Sequence, residues 1–562
     1  MGKFKVFGGR RRSIALGWAA LLTVSVIAAA PASAADVVPP TGSLLVQRSA
    51  DVVTSDPIPT VQIDDGYVWA QTTIGSTVFA VGDFDNAREA STGTGGARTA
   101  RANALAYDIQ SGELLPFAPQ VNGAIKAVAA SADGERVYIG GSFTSVNGED
   151  RWNFAALDAT TGELIPEVAP IVGGTGVYAI AVDGPNIYLG GSFTQVNGSG
   201  RKNLAAIDDQ TATLATWAPQ TDHQVDAMVM DPAGAKVIVG GRFSEVNGNS
   251  SIGGIAALDK TSGALDERWG VSRTINNSDA TGRAGIFSLA VDASGVYGTG
   301  WSYSVPGTVQ LEGAFAAEAG TGEVRWISDC LGDSYGVYST GDVVYTTNHM
   351  HSCETMGMQE AQSTETYRHS AAFTTDARGT LGTQTNSRFQ DWGGAPAPAQ
   401  YAWSPTWSIG NSTGLSQAGL SITGAGDLIS IGGEFVSVNG GEFAGLVRFS
   451  TSPPGGAKDG PRLADAQWAP TAEFSGPGQV EVSIPGNWDR DDLTLTYDLW
   501  RSGTDTPIDS VAADGTEWDQ TAIVLNDRSA RLGMQQEYTV TATDAAGNSV
   551  TSAPTTVTGR GR

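Results

Sequence analysis

Basic side chains are scarce in this chain. Lys and Arg number 33 against 59 Asp and Glu, and charged residues of every kind make up only 16%. The basic deficit excludes nonspecific nucleic-acid binding, which needs cations to displace counterions. The low total charge, set beside 41% hydrophobic residues, excludes a mostly disordered chain. No run after residue 34 approaches the roughly 18 to 20 apolar residues of a membrane span. A helical 3.6-residue apolar period is missing, which argues against a helical solenoid. No nucleotide-binding glycine loop precedes a helix, and no Gly-x-Ser-x-Gly elbow occurs. Only two cysteines and four histidines are present.

Glycine is what the sequence has in excess, at 73 of 562 residues, nearly twice the usual share of about 7%. Most of that excess is periodic. The string Gly-Gly-x-Phe-x-x-Val-Asn-Gly occupies 140–148, 190–198 and 240–248, each copy 50 residues after the last, and returns at 432–440. Weaker copies lie at 79–84, 296–301 and 344–350. A second element follows each copy: 103–108, 153–158, 203–208 and 255–259, with degenerate forms at 314–318, 369–373 and 446–449. Seven markers of each kind, separated by Gly, Asn and Asp turns, predict seven four-stranded antiparallel units. A unit drawn on 176–217 has strands at 176–182, 187–193, 203–208 and 212–217. Fifty residues per four strands fits a β-propeller over residues 43–450. Six or eight blades remain open, and a β-helix needs shorter coils. The last unit lacks room for a fourth strand, which 44–53 could supply. An insertion at about 376–410 falls in the sixth unit.

The repeated residues read as architecture. Phe143, Phe193, Phe243 and Phe435 are expected to pack between blades. Asn147, Asn197, Asn247 and Asn439, each followed by Gly148, Gly198, Gly248 or Gly440, are turn pairs. Asp133, Asp183, Asp231 and Asp292 recur at strand turns, where a carboxylate satisfies backbone N–H groups. Calcium binding or glycosidase chemistry is the alternative for such a rim. Asp489, Asp491 and Asp492 read as a solvated loop.

The N-terminus has the form of a signal peptide over residues 1–34. Lys3, Lys5, Arg10, Arg11 and Arg12 precede an apolar stretch at 14–30, and Ala32-Ser33-Ala34 supplies a small-residue cleavage site. An uncleaved anchor is the alternative. Removing five basic groups shifts the net charge from −26 to −31, which suits a soluble extracellular protein. Cys330 and Cys353 are equidistant from the turn of an expected hairpin, 334–339 with 343–347, which favours a disulfide. His349, His351 and Cys353 alternate along one strand, and His369 lies nearby; the spacing suits zinc, and the alternative is an oxidised Cys353 with the histidines as surface or rim groups.

Residues 451–466 form a Pro/Gly-rich linker. Beyond it, 479–484, 493–500 and 538–543 alternate, predicting a small β-sandwich over 467–558. The pairing of 497–502 with 538–548 resembles a fibronectin type III domain. Tyr538 then holds that family's corner tyrosine, while the early tryptophan has no clear match beyond Trp488. The repeats resemble secreted β-propeller repeats of actinobacterial cell-surface proteins, in which a fibronectin-like domain often follows and a laminin-G-like jelly roll, not seen here, sometimes does. That resemblance implies a surface or adhesion role. The segments at 257–269 and 316–326 look like the tryptophan-docking repeat of quinoprotein dehydrogenases, but the adjacent-cysteine disulfide of the alcohol-oxidising members is missing. The expected function is a non-catalytic binding or adhesion protein for a cell-wall polysaccharide, surface or protein ligand, with no cofactor, no nucleic acid and no membrane span after cleavage. An extracellular carbohydrate hydrolase is the alternative, and a quinone-dependent dehydrogenase a more distant one. Ligand identity and oligomeric state stay open.

Overall fold

The computed structural model describes residues 37–38, 42–90, 97–303, 311–360 and 366–558. The signal-peptide segment 1–34 lies outside them. The chain is all-β, with one five-residue helix at Gly270–Thr274 and many small sheets. Among the described residues no helix is long and apolar enough to cross a membrane.

Seven antiparallel sheets follow one another along residues 67–450. Their first strands are Tyr67–Ile74, Ile125–Ala130, Val172–Asp183, Val225–Met230, Ala284–Asp292, Ser334–Ser339 and Gly419–Ala425. Each first strand pairs with the next strand in sequence, which carries the Gly-Gly string or its weaker copy. Each first strand also packs against the first strand of the following sheet, and the seventh packs against the first. The seven sheets therefore stand in a cyclic series. Apolar clusters fill the spaces between neighbours. One of them joins Phe79 and Ala106 of the first sheet to Ile139 and Phe143 of the second. Phe143, Phe193, Phe243 and Phe435 are each 1% exposed or less.

The outer edge differs from the expected fourth strand. Among the described residues only the fifth and sixth sheets carry one, at Val324–Ser328 and Pro396–Tyr401. In the first four sheets a single bridge replaces it: Tyr107 with Leu114, Leu157 with Leu164, Ile207 with Leu214 and Leu258 with Leu265. At 212–217 the edge is thus a pair of backbone bonds, Asp208 N to Thr213 O at 2.9 Å and Ala215 N to Ala206 O at 2.9 Å. Part of the insertion at 376–410 is the sixth sheet's fourth strand.

The cycle closes about ten residues later than 44–53. Leu45–Val46 runs parallel to Pro396–Tyr401 in the sixth sheet. The seventh sheet is instead edged by 54–63, through Thr54 N to Ser450 O at 2.9 Å and Ile58 N to Arg448 O at 2.9 Å. Pro57 and Pro59 flank Ile58 and have no N–H to donate, so the edge is a bridge and not a ladder. Arg448, 1% exposed, locks this seam. Its guanidinium donates to the carbonyls of Pro59, Ile109, Gln110 and Ser111, joining the seventh sheet to the first.

The Asn-Gly turns take left-handed backbone at both residues, with Asn147 at φ 51° and Gly148 at φ 83°, which matches the twist of a two-residue hairpin. Their side chains also clamp neighbouring loops. Asn147 accepts from Gln120 N at 2.7 Å and donates to Gly162 O at 2.9 Å; Asn197, Asn247 and Asn439 repeat the pattern. Asp292 caps its turn as expected, accepting from Ser294 N at 2.7 Å and Gly295 N at 3.1 Å, whereas the Asp183 carboxylate pairs with Lys260 Nζ at 2.8 Å.

Residues 471–558 form two more sheets. One orders Thr471–Gly476, Gln479–Ile484 and Ile523–Asp527; the other is built on Thr494–Arg501 and Gln535–Thr543. One apolar cluster draws on both sheets. Its tryptophan is Trp468, 0% exposed, with Nε1 donating to Pro485 O at 2.8 Å; Trp488 is only half-buried. Tyr538 is buried and donates to Asp527 Oδ2 at 2.8 Å.

Candidate functional site

The Gly-Gly string explains how the centre of the ring is furnished. Each of the seven first strands contains a register break, and Val172–Asp183 contains three. The bulged residues are Trp69, Lys126, Tyr178, Asp226, Phe287, Tyr335 (with Gly336) and Leu420. A β-bulge bends its strand and re-aims a side chain. The second glycine of each string permits it, because the bulging backbone lies directly against that position. A Cβ at Gly141 would strike the Ala124 carbonyl oxygen, and one at Gly241 or Gly433 would strike that of Gln224 or Ala418. The repeated motif is constant so that the residue opposite it can vary.

Several of these side chains meet across the ring. Trp69 of the first sheet lies 5.5 Å from Phe287 of the fifth, and Phe287 lies 4.9 Å from Tyr335 of the sixth. Tyr67, Tyr335 and Leu420 form one buried cluster with Trp69 and Phe287 packed on it. The Lys126 ammonium sits 3.3 Å from the Trp69 ring centroid and donates to Tyr67 Oη at 2.9 Å. Burial pushes Lys126 down to about 8, although Asp83 and Asp226 oppose the shift. Burial raises Asp226, and the facing Arg242 guanidinium, 3.2 Å away, works against that rise. Arg242 in turn lies over Trp301, at 5.1 Å, and Trp301 meets the exposed Tyr303.

A cleft of about 460 Å³ opens beside this pair. Thr194, Lys202, His223, Gln224, Arg242 and Thr281 are among its lining residues. Lys202 is exposed, and His223 Nδ1 stands 3.1 Å from the Asp222 carboxylate. The volume lies within the range of small-ligand clefts, about 300 to 1,000 Å³. The lining is polar and cationic, in contrast to the strongly acidic chain as a whole.

Carboxylates near the mouth are already engaged. Glu434 accepts from Thr413 N at 2.7 Å and Gln417 N at 2.9 Å. Asp333 accepts from Ser302 N at 3.2 Å and Tyr335 Oη at 3.4 Å. Glu312 accepts from Gly332 N at 3.1 Å; burial, then the Asp333 charge, pushes it up to about 8.

The structure joins Cys330 to Cys353 as a disulfide, with 4.3 Å between Cα atoms. The hairpin beside it forms at Ser334–Ser339 and Val343–Met350. His349, His351 and His369 do come together, but around a ring: all three imidazoles lie within 6.4 Å of the Tyr367 ring, centre to centre. His369 is buried, donates from Nδ1 to Asn348 O at 3.2 Å, and is pushed down to about 4 by burial and by His349. Among the described residues, the group that brings three metal-ligand atoms within 4.8 Å of one another is instead Asp489, Asp491 and Asp492. These are 6%, 1% and 3% exposed, which corrects the solvated-loop reading. They are buried because the C-terminal unit docks there on 45–56.

The bulged residues were not legible as a set in the sequence, since they share position and not chemistry. The signal that could have found them is the Gly-Gly pair, which marks the strand opposite. No protein-family model matches the chain, and no curated protein matches it either.

Proposed function

We propose that this chain is a secreted, non-catalytic binding protein. In this reading residues 43–450 are a seven-bladed β-propeller, 451–466 a linker and 467–558 a fibronectin type III-like β-sandwich. The propeller offers the mouth of its ring to an extracellular polysaccharide or protein ligand. The cyclic packing of seven sheets supports the propeller, and the apolar cluster shared by two sheets supports the sandwich. The signal-like N-terminus and the disulfide support export.

One observation carries the binding reading. Seven bulges turn aromatic, cationic and acidic side chains toward one place, next to a polar cleft. Aromatic faces and polar donors together suit sugar rings or a protein surface. The hydrolase reading has one observation in its favour, the buried Glu312 raised to about 8 near Asp333. A glycosidase needs an acid and a base facing a cleft, and both carboxylates here are held by backbone N–H groups.

The test is a pull-down of the chain from residue 35 with cell-wall and polysaccharide panels, run beside hydrolysis assays. Retention that falls at least about tenfold in Arg242→Ala and Lys202→Ala is expected, the loss that follows removal of about 1.4 kcal/mol of contact. Turnover of any substrate, abolished by Glu312→Gln or Asp333→Asn in a chain that still melts cooperatively, would replace the binding reading with the hydrolase one.

A further inference from the structure

The C-terminal unit meets the ring along a charged seam. Asp459 accepts both Arg490 Nη1 contacts at 3.0 Å and an Arg462 contact at 3.0 Å, so those two guanidiniums are committed to it. Three other carboxylates remain, on Asp489, Asp491 and Asp492, and all are buried. Arg48 is the cation that reaches them, 3.8 Å from Asp491. Asp491 also accepts from Ser55 N at 2.9 Å, and Asp492 from Gln47 Nε2 at 2.5 Å. Asp489 receives only the N–H of Asp491, at Oδ1 and 3.1 Å; its Oδ2 is buried and has no partner.

Counting Asp459, four buried carboxylates stand against the guanidiniums of Arg48, Arg462 and Arg490, which leaves one negative charge without compensation. Like charges this close disfavour joint ionisation. A buried, unpartnered carboxylate oxygen is a costly group that calls for a proton or a cation. Room for the latter is present next to the cluster: a cavity of about 20 Å³ is lined by Asp489 and Asp492 but not by Asp491, with Trp488, Trp518 and the Arg368–Glu517 ion pair also on its wall. That is space for about one water or one ion. The donors are all oxygen, which selects a hard cation over zinc or copper.

We propose that Asp489, Asp491 and Asp492 bind one calcium ion at the junction between the ring and the C-terminal unit. The ion supplies the missing positive charge and takes the orphaned Asp489 oxygen as a ligand. Calcium suits the site better than magnesium because it accepts irregular oxygen sets, whereas magnesium demands near-ideal octahedral geometry. The ion then ties 45–56 to the loop 487–493 and makes the junction calcium-dependent. This inference stands apart from the ligand of the ring mouth, and neither depends on the other.

The test uses the chain from residue 35, stripped with a chelator, titrated with calcium chloride by calorimetry and followed by thermal melting. One calcium per chain and a rise in melting temperature are expected. Binding should weaken as pH falls from about 8 to about 6, because protons compete for the same oxygens. Asp489→Asn should lower calcium affinity at least about tenfold and abolish the melting shift, while melting normally in chelator. Asp492→Asn should do the same to a smaller degree, which guards against a folding artefact in the first variant. No saturable calcium binding, or unchanged affinity in Asp489→Asn, would overturn the site and leave a shared proton as the account of the cluster. Magnesium binding as tight as calcium would overturn the calcium assignment.

Discussion

Trp69 and Phe287 stand on the first and fifth sheets, 218 positions apart in sequence, yet their rings are 5.5 Å apart. The contact spans the ring and does not follow its rim. Both residues sit at bulges, so both side chains are turned inward by backbone geometry. Phe287→Ala opens the centre and strips Trp69 and Tyr335 of a neighbour. A loss of about 2 to 3 kcal/mol is expected, below the usual range for a fully buried Phe because Phe287 is only half-buried. Urea unfolding of parent and variant measures it.

Arg448 fastens the last sheet to the first through four carbonyl oxygens, and its Nε also donates to Thr60 Oγ1 at 3.3 Å. Arg448→Met keeps much of the stem and removes every donor, leaving buried carbonyls unsatisfied. The expected cost is about 3 kcal/mol or more. Arg448→Lys retains a charge without the planar fork and should recover only part of it. Proteolysis is the second readout, with early cleavage expected near 54–63 in the Met variant.

Glu312 makes the fold pH-dependent in a definite direction. Its carboxyl is raised from 4.5 to about 8, first by burial and then by Asp333. The native state therefore holds a proton that the unfolded chain releases above its ordinary carboxylate value. Stability from this group is complete below pH 4.5 and is lost as pH climbs through about 8. Glu312→Gln should flatten that loss and be more stable than the parent above pH 8. Urea midpoints at several pH values across this window measure the difference.

The Cys330–Cys353 bond closes a loop of 23 residues in the unfolded chain. Cys330→Ser with Cys353→Ser should cost about 3 kcal/mol, if loop entropy dominates. Non-reducing mass spectrometry of the parent checks the premise, since free thiols at both positions would contradict it.

Much of the architecture was readable because it repeats. The Gly-Gly, Asn-Gly and Asn-x-Ala-Ala strings mark the second strand, the turn and the third strand of each sheet, and those strands lie where the strings placed them. The outer edge was less readable. Pro116 and Pro166 follow the bridging leucines of the first two sheets closely, and a proline cannot extend a ladder. The closing segment is not the more apolar one: 44–53 carries six apolar residues and 54–63 only three, and the contact of Arg448 with Pro59 selects the latter. Two signals were masked by their neighbours. Asp489, Asp491 and Asp492 look solvent-loving in one dimension and are buried only because another part of the chain covers them. Trp468 sits just past a linker and lacks the alternation that marks its own sheet. Long-range packing decides such residues, and a local window does not contain it.

The seven bulges have a consequence for how this surface can change over time. At five of the seven bulges a glycine on the neighbouring strand, Gly82, Gly141, Gly191, Gly241 or Gly433, lies against the bulging backbone, while the sixth sheet has Asn348 in that place. Trp69, Lys126, Tyr178, Asp226, Phe287, Tyr335 and Leu420 already show that aromatic, charged and aliphatic occupants are tolerated at equivalent places. The mouth is thus a seven-letter word written on a fixed line. One codon at a time can respell its chemistry while the scaffold that displays it is inherited unaltered.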